Sequence, residues 1–131
     1  MNEQNFENKE AANERENSLK LARIAIAALE DKKAVDIRMI DISDVSVLAD
    51  YFIIAGGTNR MQIQALADEV TKQLELAGAQ PRQVEGYQNA GWVLLDFGDV
   101  IIHIFDSENR LLYDLERIWR DGRQVDLDEI K

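Results

Sequence analysis

Few residue types in this chain are suited to catalytic chemistry. The sequence contains one histidine, His103, and no cysteine, which removes thiolate nucleophiles, disulfides and cysteine-based zinc sites. A transition-metal site would need His103 together with carboxylates, so no dedicated metal site is predicted. A hydrolytic triad on His103 is not indicated either, because no serine lies in a G-x-S-x-G motif. The serines, all at predicted caps or turns, are Ser18, Ser43, Ser46 and Ser107. A packed or hydrogen-bonded strand histidine is therefore favoured.

The pair Gly56-Gly57 lies between a predicted strand and a predicted helix, where backbone N–H groups can bind a phosphate. It lacks the three spaced glycines of a dinucleotide fingerprint and the Gly-Lys-Ser/Thr ending of a phosphate-binding loop. In nucleotidyltransferase-type enzymes a similar turn precedes two carboxylates, two residues apart on one strand, that hold magnesium. No such acidic pair follows Gly57. A tight turn is the favoured interpretation, a nucleotide-binding or nucleotidyltransferase-type enzyme is the alternative, and no cofactor is predicted.

A predicted hairpin positions His103 and Asp96. Gly98-Asp99 fits a two-residue type II′ turn, so the strands on either side pair residue by residue. One face of the hairpin is wholly apolar and is predicted to be core; it consists of Val93, Leu95, Phe97, Val100, Ile102 and Ile104. The other face is mixed and consists of Trp92, Leu94, Asp96, Ile101, His103 and Phe105. Asp106 or Ser107 is predicted to cap a following helix.

The mixed face and this last helix are predicted to bind a partner. Trp, Tyr and Arg are the residue types enriched at interface hot spots. The predicted partner-binding residues are Trp92, Asp96, His103, Phe105, Arg110, Tyr113 and Glu116. The alternative is that the aromatic residues fill the core, and it is favoured for Trp119, which lies beside the apolar stripe of the helix.

The remaining pattern predicts one α/β domain with a mixed sheet of about five strands and helices. Asn17 or Ser18 is expected to cap a first helix that runs to about Lys33, and Thr58 or Asn59 a second that ends before Gly78. The strand–helix–strand unit from Tyr51 to about Glu85 is expected to be a right-handed crossover joining parallel strands. Residues 1–16 are predicted to be a disordered or frayed acidic extension, residues 17–120 the folded domain, and residues 121–131 a frayed acidic tail.

The charge of the chain favours a basic partner. The net charge is −10. Five acids and two bases in residues 1–16, and four acids and two bases in residues 121–131, leave about half of that charge on the folded middle. An acidic domain is repelled by phosphate backbones, so direct nucleic-acid binding is disfavoured and a basic protein partner is favoured. No apolar run is long enough to cross a membrane and the amino terminus lacks a secretory signal, so a cytoplasmic protein is expected.

Three segments together carry a family resemblance. They are DYFIIAGGTNRMQIQALADEV, VEGYQNAGWVLLDFGDVIIHIF and ENRLLYDLERIW. They closely resemble the ribosomal silencing factor family, RsfS, also named Iojap-like, from about Ser18 to about Trp119. The extension before Ser18 lies outside the family pattern.

The resemblance implies a function without catalysis. Proteins of this kind bind the large ribosomal subunit through its basic ribosomal protein fourteen. They cover the surface where the small subunit docks, and so lower translation when nutrients are short. The resemblance also implies a nucleotidyltransferase-like architecture without the catalytic carboxylates. We therefore expect a steric repressor with no enzymatic activity, acting as a monomer or weak homodimer.

Overall fold

The computed structural model describes residues 3–47, 49–107 and 122–130. Within them the chain forms a single α/β domain of three helices and six strands. In chain order the elements are α1 (Glu3–Asp31), β1 (Val35–Asp41), β2 (Tyr51–Gly57), α2 (Arg60–Leu76), β3 (Gln83–Glu85), β4 (Trp92–Asp96), β5 (Val100–Asp106), β6 (Arg123–Val125) and α3 (Leu127–Ile130).

The strands form one mixed sheet in the order β3-β4-β5-β2-β1-β6. Strands β2 and β5 are parallel, and the other neighbouring pairs are antiparallel. The mixed sheet is thus as expected, with one strand more than the predicted five because residues expected to be tail form β6. The nucleotidyltransferase-like architecture implied by the resemblance stays a prediction.

The unit β2-α2-β3 joins two strands that point the same way, as expected, but these strands are not neighbours. Strand β5 lies beside β2, and β4 lies between β5 and β3. This order follows from burial: most of β5 is buried, as a central strand must be, whereas every residue of β3 is exposed. A three-residue exposed strand suits a sheet edge.

Helices α1 and α2 pack on one face of the sheet and enclose the main core. The six hairpin residues predicted to be core are all buried, with Phe97 the most exposed at 7%. Helix α2 contributes an apolar stripe whose members are all buried: Ile63, Leu66, Ala67, Val70 and Leu74. It begins after the expected cap Asn59, whose side chain accepts a hydrogen bond from the Gln62 N–H. Just past its end, Gly78 has the expected positive φ of 93°.

The expected start of α1 is wrong. The helix begins at Glu3 and passes through Asn17 and Ser18 without a break. Ser18 is fully buried, and its Oγ lies 3.0 Å from the Glu14 carbonyl oxygen and 2.9 Å from Oδ2 of Asp50. A serine can bond to the carbonyl four residues before it inside a helix, so its presence does not require a helix start.

The carboxyl-terminal residues, expected to be frayed, form β6 and α3. Strand β6 pairs antiparallel with β1, and Nη2 of Arg123 lies 3.1 Å from Oδ2 of Asp41. In α3, Ile130 packs against the main core and its carbonyl accepts a 2.6 Å hydrogen bond from Nε of Arg23. Apolar contacts that are distant in the sequence therefore order this segment.

The predicted last helix, with its inner stripe and Trp119, lies outside the described residues. Among the helices that are described, none combines the length and the apolar character needed to cross a membrane. The boundaries proposed at residues 16 and 120 stay predictions.

Candidate functional site

The face of the sheet opposite α1 and α2 carries the predicted partner-binding residues of the hairpin. Strand pairing places them in three rows, because directly paired residues share a face. The rows are Trp92–Phe105–Gly56, Leu94–His103–Ile54–Arg38 and Asp96–Ile101–Phe52–Ile40. The predicted hairpin register is confirmed pair by pair. Gly98 at the turn has φ of 90°, as a type II′ turn requires.

Burial divides this face in two. Its centre is buried: Phe105, Ile54 and Ile40 are each 0% exposed, and His103 is 5% exposed. Strand β4 is more open, with Trp92 40% exposed and Leu94 and Asp96 half-buried. We call Trp92, Leu94 and Asp96 the β4 strip.

This division corrects the predicted surface in part. His103 and Phe105 were expected to contact a partner, but both are buried, so they support the surface from below. The reason is that β5 is a central strand and its side chains on both faces are covered. Trp92 and Asp96 keep part of their surface exposed. Arg110, Tyr113 and Glu116 lie outside the described residues.

Trp92 is held in place by His103. Its Nε1–H donates a hydrogen bond to Nδ1 of His103 over 3.1 Å. Because Nδ1 accepts, the proton of the neutral ring is assigned to Nε2. That buried Nε2 atom has no hydrogen-bond partner among the described residues. Burial lowers the pKa of His103 from 6.5 to about 4, so the ring is neutral at pH 7.

An aromatic cluster surrounds this hydrogen bond. The Trp92 ring stacks on Phe105 with centroids 5.4 Å apart, and Phe52 meets His103 edge to face at 5.0 Å. Such pairs add about 0.5 to 1.5 kcal/mol beyond burial. The indole of Trp92 is thus held by Phe105 and His103, and 40% of the residue is exposed.

Asp96 lies at the opposite end of β4 from Trp92. Its Oδ1 accepts a 2.8 Å hydrogen bond from the Gly98 N–H and so supports the hairpin turn. Asp96 and His103 lie diagonally across the hairpin, and among the described residues His103 bonds to Trp92 rather than to Asp96.

The Gly56-Gly57 pair packs against side chains. Both residues belong to β2 and are buried. A Cβ on Gly57 would lie 2.6 Å from Cγ1 of Ile63, and one on Gly56 would lie 3.0 Å from Cγ2 of Val35. The tight turn predicted at this pair is wrong, because both residues end strand β2 and neither has a positive φ. Glycine is required here because neighbouring side chains leave little room for a Cβ. No group of three or more metal-binding side chains occurs in the part of the chain that the structure describes.

Replacing Gly57 by alanine is expected to lower the free energy of unfolding by about 1 to 3 kcal/mol. The added methyl group meets Ile63, which is fully buried and cannot move aside cheaply. Urea denaturation measures the loss. Gly56→Ala is the matched control and should cost less, because its nearest neighbour is a methyl group of the exposed Val35. Equal stability of G57A and the wild type would contradict the packing role.

Two residues of this face were not singled out from the sequence. Phe52 lies beside His103, and Glu85 pairs with Leu94 from the edge strand β3. The signal for Glu85 was weak because β3 is only three residues long. Phe52 belongs to a continuous apolar run, in which alternation does not reveal the face.

Comparison with known proteins agrees with this architecture. Residues 15–131 match the family model described as "Ribosomal silencing factor during starvation". The chain is 42% identical over 112 residues to "Ribosomal silencing factor RsfS" of Bacillus subtilis, covering 86% of this chain and 95% of that protein. It is 29% identical over 97 residues to the Mus musculus protein "Mitochondrial assembly of ribosomal large subunit protein 1", covering 72% of this chain and 42% of the relative. A crystal structure from Bacillus halodurans is similar with a TM-score of 0.74 and 36% identity, covering 82% of this chain and 97% of that one.

Proposed function

Because the chain belongs to the ribosomal silencing factor family, we propose that it binds the large ribosomal subunit and sterically prevents the small subunit from joining. Translation is then repressed when nutrients are limiting. The mechanism requires that the protein binds one surface of the large subunit and that its volume occupies the space where the small subunit would dock. It requires no catalysed reaction. The name of the mouse relative, which refers to the large subunit, supports the choice of subunit.

The proposed contact is a basic ribosomal protein, ribosomal protein fourteen of the large subunit. The net charge of −10 supports a basic partner and opposes direct binding to ribosomal RNA. The protein is proposed to act in the cytoplasm, as a monomer or weak homodimer.

The β4 strip is proposed as the centre of the contact, and the observation that carries this assignment is the half-exposed Trp92. Its ring is fixed by Phe105 and His103 before any partner binds. A side chain that is already ordered loses little conformational entropy on binding. Asp96 is a second direct contact in this proposal, while His103 and Phe105 support the surface. Arg110, Tyr113 and Glu116 are retained as proposed contacts.

Sedimentation with purified subunits tests the proposal. The protein should move with large subunits and stay behind with small subunits. Equal binding to both, or to neither, would contradict it. A nucleotide-using enzyme built on Gly56-Gly57 is the less favoured alternative, because side chains of Val35 and Ile63 pack closely against the pair. Calorimetry with ATP and magnesium should accordingly give no binding heat.

Replacing Trp92 by alanine is expected to weaken binding to the large subunit by about 2 kcal/mol, or about thirtyfold. The change removes the ordered apolar surface at the centre of the contact. The affinity is measured by sedimentation at several subunit concentrations. Val84→Ala is the matched control, since Val84 is 45% exposed but faces the α2 side of the sheet. Equal affinities of W92A and V84A for the large subunit would show that Trp92 does not take part in the contact.

A further inference from the structure

A cleft of about 300 Å³ lies between α2 and the edge strand β3, on the face of the sheet opposite the β4 strip. The buried residues Ala67 and Leu95 close its bottom, and Val84, which is 45% exposed, forms an apolar wall. This volume is at the small end of the range of about 300 to 1,000 Å³ that is usual for small-molecule sites. The cleft therefore suits a small ligand that carries one apolar group.

Polar and charged side chains of α2 form one rim of the cleft. Asp68, Lys72 and Glu75 lie four and three residues apart, so the helix presents them on one face. Thr71 lies on the same face and is half-buried. The side chains of Thr71, Lys72 and Glu75 form no hydrogen bond or ion pair with another residue of the described ranges. The rim thus offers an ammonium group, two carboxylates and a hydroxyl group to a ligand.

The loop after β3 closes one end of the cleft and is fastened to α2. The hydroxyl group of Tyr87 donates a 3.1 Å hydrogen bond to Oδ2 of Asp68, and Nε2 of Gln64 donates a 2.9 Å hydrogen bond to the Tyr87 carbonyl oxygen. Within the loop, the Ala90 N–H donates to the Gly86 carbonyl oxygen over 2.9 Å. These bonds orient the Asp68 carboxylate before a ligand arrives, which lowers the entropic cost of binding.

The charges on the rim restrict the class of ligand. A nucleotide or another phosphorylated molecule would face two carboxylates and a single lysine, in a protein whose net charge is −10, so its binding is opposed. An extended peptide is opposed as well, because the exposed strand β3 has three residues, between Pro81 and Gly86, and gives little backbone to pair with. A small zwitterion with an apolar side chain carries no net charge and matches both signs of charge on the rim.

We propose that this cleft binds a free α-amino acid with an apolar side chain, whose carboxylate pairs with Lys72 and whose ammonium group pairs with Asp68. The side chain of the ligand lies against Val84 and above Leu95, and the Thr71 hydroxyl group donates a hydrogen bond to the ligand carboxylate. Removal of the Val84 surface from water supplies affinity, and the two opposite charges set the orientation of the ligand. The site goes beyond the proposed function, and it can be tested on the protein without ribosomes.

Titration of the isotope-labelled full chain, followed by two-dimensional NMR, tests the site with leucine and phenylalanine as the probes. Saturable shifts are expected in residues 67–75 and 84–87, which include the rim and the closing loop. A dissociation constant of about 1 mM is expected of a ligand of about ten heavy atoms in an open cleft. Three analogues of leucine each lack one recognised group: isocaproate lacks the ammonium group, isoamylamine lacks the carboxylate, and glycine lacks the apolar side chain. Each analogue should bind at least about threefold more weakly than leucine.

Substitutions on the rim distinguish this site from a general effect of charge. Lys72→Gln and Asp68→Asn remove a charge and nearly keep the size of the side chain, and each should weaken leucine binding about three- to tenfold. Both residues are exposed, so the variants should fold, which thermal denaturation checks. Lys20→Gln on α1 and Asp44→Asn between β1 and β2 are the matched controls. Both change exposed charges outside the cleft and should alter the affinity for leucine by less than about twofold.

The outcomes decide both the position of the site and the class of its ligand. Saturable shifts along the cleft, weaker binding of all three analogues and losses confined to K72Q and D68N would support the proposal. Absence of saturable shifts up to about 10 mM leucine or phenylalanine would overturn it. Binding of any analogue as tight as that of leucine would show that the zwitterion with its apolar side chain is not what the cleft recognises. Equal affinities of K72Q, D68N and the two control variants would show that the rim does not hold the ligand.

Discussion

Replacing Phe105 by alanine is expected to lower the free energy of unfolding by about 3 to 5 kcal/mol. Phe105 is 0% exposed, stacks on Trp92 and belongs to the second apolar cluster of the sheet. Removing the ring leaves a cavity that the surrounding strands cannot close. Since domains of this size are stable by only about 5 to 15 kcal/mol, thermal or urea denaturation should show the loss clearly.

Phe105→Leu distinguishes a residue that only stabilises the surface from one that contacts the partner. It retains most of the buried volume and should cost less than F105A. At a temperature where both are folded, F105L should bind large subunits only slightly more weakly than the wild type, because it loses the stacking that orders Trp92 but no direct contact. A thirtyfold weaker affinity of folded F105L for the large subunit would show that Phe105 contacts the partner directly.

Lowering the pH from 7 to 4 is expected to remove about 3 kcal/mol of stability through His103. Burial lowers the pKa of the folded state to about 4, whereas the unfolded chain has the ordinary value of 6.5. Between these values the unfolded chain binds a proton that the folded protein does not. The contribution of His103 to the free energy of unfolding is therefore largest above pH 6.5. It decreases as the pH falls from 6.5 towards 4 and levels off below about pH 4.

His103→Gln isolates this contribution. Glutamine does not titrate, and its carbonyl can still accept a hydrogen bond from the Trp92 N–H. Urea unfolding at a series of pH values gives the free energy of unfolding of the wild type and of H103Q. Both proteins contain the same carboxylates, so the contribution of their titration cancels in the difference between the two free energies. That difference should change by about 3 kcal/mol between pH 7 and pH 4. A difference independent of pH would show that His103 is not buried in the neutral form.

The hairpin and α2 could be predicted from local signals. Gly98 fixed the turn, and the alternation on either side fixed the register of Trp92 with Phe105. The apolar spacing from Ile63 to Leu74 and the Asn59 cap located α2. These features depend on residues close together in the sequence, where turn chemistry and periodicity act directly.

Features set by distant contacts could not be predicted in the same way. The placement of β5 beside β2 depends on which strands can be buried on both faces, and β6 and α3 depend on contacts with β1 and α1. Contacts between distant elements also decide which residues of the predicted surface are exposed. Alternation placed Trp92, His103 and Phe105 on one face correctly, but only the strand order shows that β5 is central and β4 is nearer the edge. His103 and Phe105 are therefore buried, whereas Trp92 is exposed.

Joining of the two subunits is the step that the proposed steric mechanism blocks, and it can be assayed with purified components. Purified large subunits are incubated with increasing amounts of the protein, small subunits are then added, and joined ribosomes are measured by light scattering or on a gradient. Joining should fall as the large subunits become occupied, and W92A should shift the half-effective concentration by the same factor as its affinity. Joined ribosomes that form at the normal level while still carrying the protein would contradict the steric mechanism.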